Sequence, residues 1–215
     1  MLSAEECLKA IEIMGESFPD AHSSLTADTD FHFLLAVIMS AQTTDKAVNL
    51  LTPKLFETYK TPYELAKADI NDVMSLIKTI GLYRNKAKYL VACAQKIVSD
   101  FAGIVPQTRK ELMSLPGVGR KTADVVLAEC FGIPALAVDT HVTRVSKRLR
   151  MVAQSADVLK IEKTVMKKLP ESVWIDAHFR MIYWGRYQCT ARSPKCETCP
   201  LLGICAEGKQ RVKTN

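Results

Sequence analysis

Four cysteines near the C-terminal end, Cys189, Cys196, Cys199 and Cys205, fall within 17 residues, separated by gaps of six, two and five. Thiolates this close in sequence can converge on one soft metal centre. Both zinc and a [4Fe–4S] cluster accept four of them. A zinc ribbon usually shows two close pairs. Only Cys196 and Cys199 are close here, which favours iron–sulfur and leaves zinc open. The Gly, Pro and Cys content of this stretch suits a loop wound round a metal better than a helix. Between the first two ligands runs Thr190-Ala191-Arg192-Ser193-Pro194-Lys195. Closing the loop would hold Arg192 and Lys195 outward, where phosphate contact is a natural use; a solvated basic loop is the plainer alternative. The other cysteines, Cys7, Cys93 and Cys130, sit among apolar neighbours and read as buried.

A second candidate is Leu115-Pro116-Gly117-Val118-Gly119-Arg120-Lys121-Thr122, between two helical stretches. One Pro and two Gly permit a turn that helical residues cannot make. Amides in such a turn, and at the start of the next helix, point outward together and bind a phosphate oxygen, helped by the helix dipole. This is a helix-hairpin-helix signature that grips the nucleic-acid backbone through Gly117, Gly119 and Arg120; a purely structural αα-corner is the alternative. Lys121 falls just inside the second helix. A free lysine is a poor nucleophile at neutral pH. A helix N-terminus and partial burial both favour the neutral amine, which can attack a sugar C1′ and form a Schiff base. Taken alone, a phosphate-binding lysine is the commoner role.

Asp139, in Val138-Asp139-Thr140-His141, is the natural partner. It precedes a stripe of Val142, Val145 and Leu149 and so can cap that helix. As a carboxylate it can also stabilise an oxocarbenium-like sugar and take a proton from the attacking group. Arg144, Lys147 and Arg148 follow on the polar face of the same helix, facing DNA or water.

The elements that must position these groups are helical. Ser3–Glu6, Thr61–Glu64 and Thr108–Glu111 each have the form of a capping box, the second with Pro62 at the first helical position. Leu8, Ile11, Met14 and Phe18 recur at helical spacing, as do Leu90, Ala94, Ile97 and Phe101. Val73, Leu76, Ile77 and Ile80 form another stripe, which Gly81 is expected to stop. Ala135–Val138 is β-like but has no hairpin partner. The chain therefore reads as all-α, with about ten helices.

The 215 residues suffice for one or two domains. Hydrophobic residues make up 48% and charged residues 24%, the balance of a globular protein. Lys and Arg exceed Asp and Glu by 29 − 23 = 6, which permits a polyanionic partner without requiring one. The N-terminus lacks a basic segment followed by an apolar run, so no signal peptide is expected. No stretch approaches the roughly 18 apolar residues of a membrane span. A cytoplasmic protein is expected, whose seven cysteines are not a disulfide framework.

Together these motifs resemble the endonuclease III family, bifunctional DNA glycosylase/AP lyases of the helix-hairpin-helix superfamily. The resemblance covers nearly the whole chain. It rests on Ser40-Ala41-Gln42-Thr43-Thr44-Asp45, Ile80-Gly81-Leu82-Tyr83, the hairpin 115–121, Val138-Asp139-Thr140-His141 and the cysteine spacing. It implies two helical domains flanking a DNA-binding cleft. One is a six-helix domain over 22–132 that carries the hairpin. The other is a discontinuous domain of 1–21 plus 133–215, with one [4Fe–4S] cluster held in the loop 189–205. By position, Lys121 resembles the catalytic nucleophile and Asp139 the catalytic carboxylate. Gln42 and Leu82 resemble residues that fill the gap and wedge the stack when a base flips out. Without the resemblance they would read as a cap or turn residue and a core residue. Asp45 and His141 would lie near the pocket. The implied partner is double-stranded DNA carrying damaged pyrimidines or abasic sites, bound by a monomer. Monofunctional adenine-mismatch relatives lack the lysine and usually carry a further C-terminal domain; Lys121 and the ten residues after Cys205 argue against that branch. A non-catalytic DNA clamp built from the hairpin and the metal site is the alternative from another class.

Overall fold

The computed structural model describes residues 1–214, and among them every regular element is helical. In chain order these are α1 (Ala4–Ser17), α2 (Asp30–Ser40), α3 (Asp45–Thr58), α4 (Pro62–Ala66), α5 (Ile70–Ile77), α6 (Tyr83–Phe101), α7 (Arg109–Leu112), α8 (Arg120–Phe131), α9 (Thr140–Arg148), α10 (Val158–Lys168), α11 (Trp174–Tyr183) and α12 (Ala206–Thr214). A 3₁₀ turn, Glu171–Val173, precedes α11, and a π-helical turn, Trp184–Gln188, follows it. The twelve α-helices exceed the expected ten because α4 and α7 have only five and four residues, too few to show a repeating stripe.

The chain forms two compact units. One is Ser24–Ile133; the other joins Met1–Ser23 to Pro134–Asn215. In the first, α2 is buried from Phe31 to Met39 and packs against α3, α6 and α8. A helix apolar all round belongs at the centre of its unit. Val73, Ile77 and Ile80 are buried with Leu90, Ala94 and Ile97, as their spacing predicts. Gly81 does not stop the helix, however. α5 ends at Ile77, and the left-handed residue is Leu82, with φ 58°.

In the second unit α1 packs against α10 and α11 over a core that includes Ile11, Met14, Val145, Ile161 and Trp184. Residues Ala135, Leu136, Ala137 and Val138 are buried, outside any strand. Their β-like sequence reflects burial on both sides, not pairing. The Ser3–Glu6 and Thr61–Glu64 boxes form with both reciprocal bonds. At Thr108 the Glu111 amide donates to the hydroxyl oxygen, but the Glu111 carboxylate accepts from the same hydroxyl and not from the Thr108 amide.

Candidate active site and metal centre

The hairpin joins α7 to α8. Gly117 turns the chain with φ 80°, and a Cβ there would stand 2.9 Å from the Cβ of Tyr89. Only glycine meets both the angle and the space. Gly119 caps α8 with φ −89°, and a Cβ there would meet nothing within 4 Å. The Val118 amide donates to Leu115 O at 3.1 Å. The Gly117 and Gly119 amides make no hydrogen bond among the described residues. They are therefore unspent donors at a helix N-terminus, the arrangement that binds an anion. Below the turn, buried Asp124 of α8 pairs with Arg109 of α7 at 2.5 Å and ties the two helices together. Lys121, the second residue of α8, is exposed. The expected partial burial is thus absent, and the fold supplies the helix N-terminus alone.

Asp139 lies in the other unit and caps α9, as its position predicts. Its Oδ1 accepts the His141 and Val142 amides, both at 2.8 Å. Two residues earlier, Ala137 O accepts from Nδ1 of buried His178 at 2.7 Å, which anchors the segment leading into the cap. Burial lowers the basicity of His141, and the neighbouring Asp139 carboxylate opposes that lowering. The His141 ring accepts at Nδ1 from Arg144 Nη2 at 3.1 Å, since a guanidinium can only donate.

The polar face of α9 turns onto the cysteine loop. Arg144, expected to contact DNA, has its guanidinium turned onto this loop, with Nε donating to Cys189 O at 3.0 Å and Nη2 to Gly185 O at 2.6 Å. Arg148 donates to Thr190 O at 2.7 Å and Ala191 O at 2.9 Å, and pairs with Glu207 of α12 at 3.1 Å. Sequence reading leaves these arginines facing solvent or DNA because the carbonyls they satisfy lie more than forty residues away in the chain.

All four cysteines line one small cavity of about 30 Å³, together with Leu149, Trp184 and Leu202. Cys189 caps the π turn, its amide donating to Trp184 O at 2.7 Å. Cys205 Sγ accepts the Gly208 amide at 3.2 Å. Burial pushes the thiols of Cys196, Cys199 and Cys205 up, so metal charge is needed to hold them as thiolates. Four cysteines around one cavity are a donor set that would fit a [4Fe–4S] cluster. Arg192 and Lys195 stand exposed on the loop. Reciprocal bonds between Gln188 and Lys195 backbone pin its base, at 3.0 and 2.7 Å.

Gln42 and Leu82 are both exposed, with φ 55° and 58°. Left-handed backbone is uncommon outside glycine and gathers at functional sites. Leu82 is 58% exposed, where its apolar side chain alone would suggest a core position. Asp45 starts α3, where its carboxylate accepts the Ser24 hydroxyl. Sequence reasoning missed Lys86, a buried lysine whose Nζ donates to Met39 O at 2.8 Å and to Thr43 Oγ1 at 2.7 Å. The available signal was a lysine on the apolar side of α6, one turn from Leu90.

Comparison with known proteins matches residues 35–171 to the HhH-GPD superfamily of base excision DNA repair proteins, and residues 189–205 to the iron–sulfur binding domain of endonuclease III. The chain is 46% identical over 213 residues to the endonuclease III of Bacillus subtilis (strain 168), covering 99% of this chain and 97% of that one. A solved non-covalent endonuclease III–DNA complex is 47% identical with a TM-score of 0.95, covering 99% of this chain and 100% of that one. A trapped endonuclease III–DNA covalent intermediate, an estranged-adenine complex, has the same identity and coverage with a TM-score of 0.94.

Proposed function

This chain belongs to the endonuclease III family, within the HhH-GPD superfamily of base excision DNA repair proteins, and on that premise we propose how its residues carry out the reaction. The protein is a DNA glycosylase with AP lyase activity, and its cofactor is a [4Fe–4S] cluster. Its substrate is duplex DNA holding a damaged, oxidised pyrimidine or an abasic site, bound by a monomer associated with DNA in the cytoplasm. Among the described residues no helix is long and apolar enough to cross a membrane.

The observation that carries the residue assignment is the hairpin, where an exposed lysine stands on the N-terminal turn of a helix beside two unspent amides. The Gly117 and Gly119 amides, with Arg120, hold one backbone phosphate, and Arg192 and Lys195 hold another. Gln42 and Leu82 occupy the space of an extruded base. The few kcal/mol of unstacking are smallest for a damaged, poorly stacked pyrimidine. Lys121 Nζ attacks C1′, and the base departs with the glycosidic electron pair. Asp139 stabilises the cationic sugar and takes the proton from the attacking amine. Opening of the sugar gives a Schiff base. Loss of a C2′ proton then expels the 3′ phosphate, and water releases the enzyme. Cys189, Cys196, Cys199 and Cys205 would hold the cluster, which supplies cross-linking of the basic loop.

A non-catalytic clamp is set aside by family membership and gives the exposed lysine no task. Borohydride trapping on an oligonucleotide with thymine glycol or an abasic site tests the assignment. A covalent adduct is expected, and it should vanish in Lys121→Ala. Strand cleavage by the native protein with no trapped adduct would overturn it. A covalent intermediate trapped in a relative 47% identical supports the reading.

A further inference from the structure

Gln42 and Leu82 sit on different elements, the first after α2 and the second before α6. To enter a duplex together they must keep a fixed spacing. One residue joins their turns. The Lys86 amide donates to Leu82 O at 3.0 Å, closing the first turn of α6. Its ammonium reaches the Gln42 turn from below, donating to Met39 O in the last turn of α2 and to the hydroxyl oxygen of Thr43, the residue after Gln42. We propose that Lys86 is a positioning residue for base extrusion, locking the Gln42 and Leu82 turns into one rigid pair.

Lys86 is only 3% exposed and has no carboxylate partner among the described residues. Burying an ammonium on neutral acceptors costs desolvation that an apolar side chain would avoid. Its two acceptors flank Gln42, so that cost falls where the geometry must hold. Met39 O is one of the carbonyls a helix end leaves unsatisfied, where a cation is favoured. Backbone strain points the same way. Two non-glycine residues with positive φ persist only if their surroundings over-determine them, and Lys86 is bonded to both turns.

The inference rests on Gln42 and Leu82 acting as the inserted pair, and the test separates the two ideas. The protein with its cluster is mixed with duplex DNA carrying thymine glycol next to 2-aminopurine, whose fluorescence reports unstacking. Lys86→Met should slow single-turnover base release and extrusion roughly ten- to hundredfold, the kinetic equivalent of losing hydrogen bonds to a charged group. DNA affinity should stay within about twofold, because the phosphate contacts are untouched. Lys86→Met combined with Leu82→Ala should be no slower than Leu82→Ala alone, because both act on one step. Independent, multiplying losses would overturn the proposal, as would unchanged extrusion in Lys86→Met. If Leu82→Ala and Gln42→Ala leave extrusion intact, the inserted-pair reading has failed, and the tie falls with it. Should Lys86→Met not fold, Thr43→Val removes one acceptor at constant shape. It must show the same pattern on a smaller scale, and wild-type extrusion in that variant overturns the proposal.

Discussion

Oδ1 of Asp139 accepts two amides at the start of α9, so the cap and the proposed charge role fall on one carboxylate. Two substitutions separate them. Asn is as good an N-cap as Asp, whereas Ala forfeits about 1 kcal/mol. Asp139→Asn should therefore unfold in urea at the native midpoint and yet lose roughly 10²- to 10⁴-fold in single-turnover rate. Asp139→Ala should lose both. An active Asp139→Asn would reduce this residue to a cap. The hairpin glycines give a similar contrast. Gly117→Ala meets Tyr89 and an unsuitable φ, so it should destabilise by about 1–3 kcal/mol. Gly119→Ala meets no atom and should fold normally, but its methyl would stand in the path of the proposed phosphate. Its DNA affinity should fall while its urea midpoint stays put.

Elements carry a second kind of precision. The π turn after α11 lets Gly185 pass close beneath α9, where an added Cβ would stand 2.8 Å from His141 Cβ and 3.1 Å from Arg144 Nη2. π turns recur at functional sites because the extra residue shifts the register of the chain beyond them. Here that shift sets the position of Cys189, the first residue past the turn. Gly185→Ala should push Arg144 away from Cys189 O and loosen the loop. The expected outcome is reduced iron content and visible absorbance in purified protein, with the helical circular dichroism kept. Full iron occupancy in that variant would show that the brace is dispensable. Short elements are also the least legible ones. α7 has four residues, and its identity depends on the Thr108 cap and on Arg109 reaching Asp124.

At the scale of the molecule, the excess of six positive charges is ordinary, and placement decides its use. Arg192 and Lys195 are exposed, while Arg144 and Arg148 are consumed internally. Plots of log affinity against log salt should slope steeply downward. Each of Arg192→Ala and Lys195→Ala should shallow the slope by about 0.9 if it meets one phosphate. Arg144→Ala should instead perturb the cysteine loop. Stability should also fall in alkali. Burial pushes the Cys93 thiol from 9.0 to about 12, so the folded chain holds a proton that the unfolded chain releases. Stability is therefore lost as pH rises above 9.0, with a slope approaching 1.4 kcal/mol per pH unit from this group. Cys93→Ala should flatten that slope in urea titrations between about pH 8 and pH 10.

The sequence by itself determined the helical class, two of three capping boxes, the Asp139 cap, the hairpin and the cysteine spacing. Each is written in residues a few positions apart, where local sterics and hydrogen bonds act. Family resemblance, and not periodicity, singled out Gln42 and Leu82, because exposure at a helical stripe's end has no local signature. Only the tertiary structure decided that Leu82, not Gly81, takes the left-handed turn, that Lys121 is exposed, and that Arg144 and Arg148 face the cysteine loop. The same holds for Lys86, which bridges two turns through bonds 47 and 43 residues apart in the chain. A side chain of such length can reach solvent, phosphate or a distant carbonyl at similar local cost, and the packed neighbours choose among them.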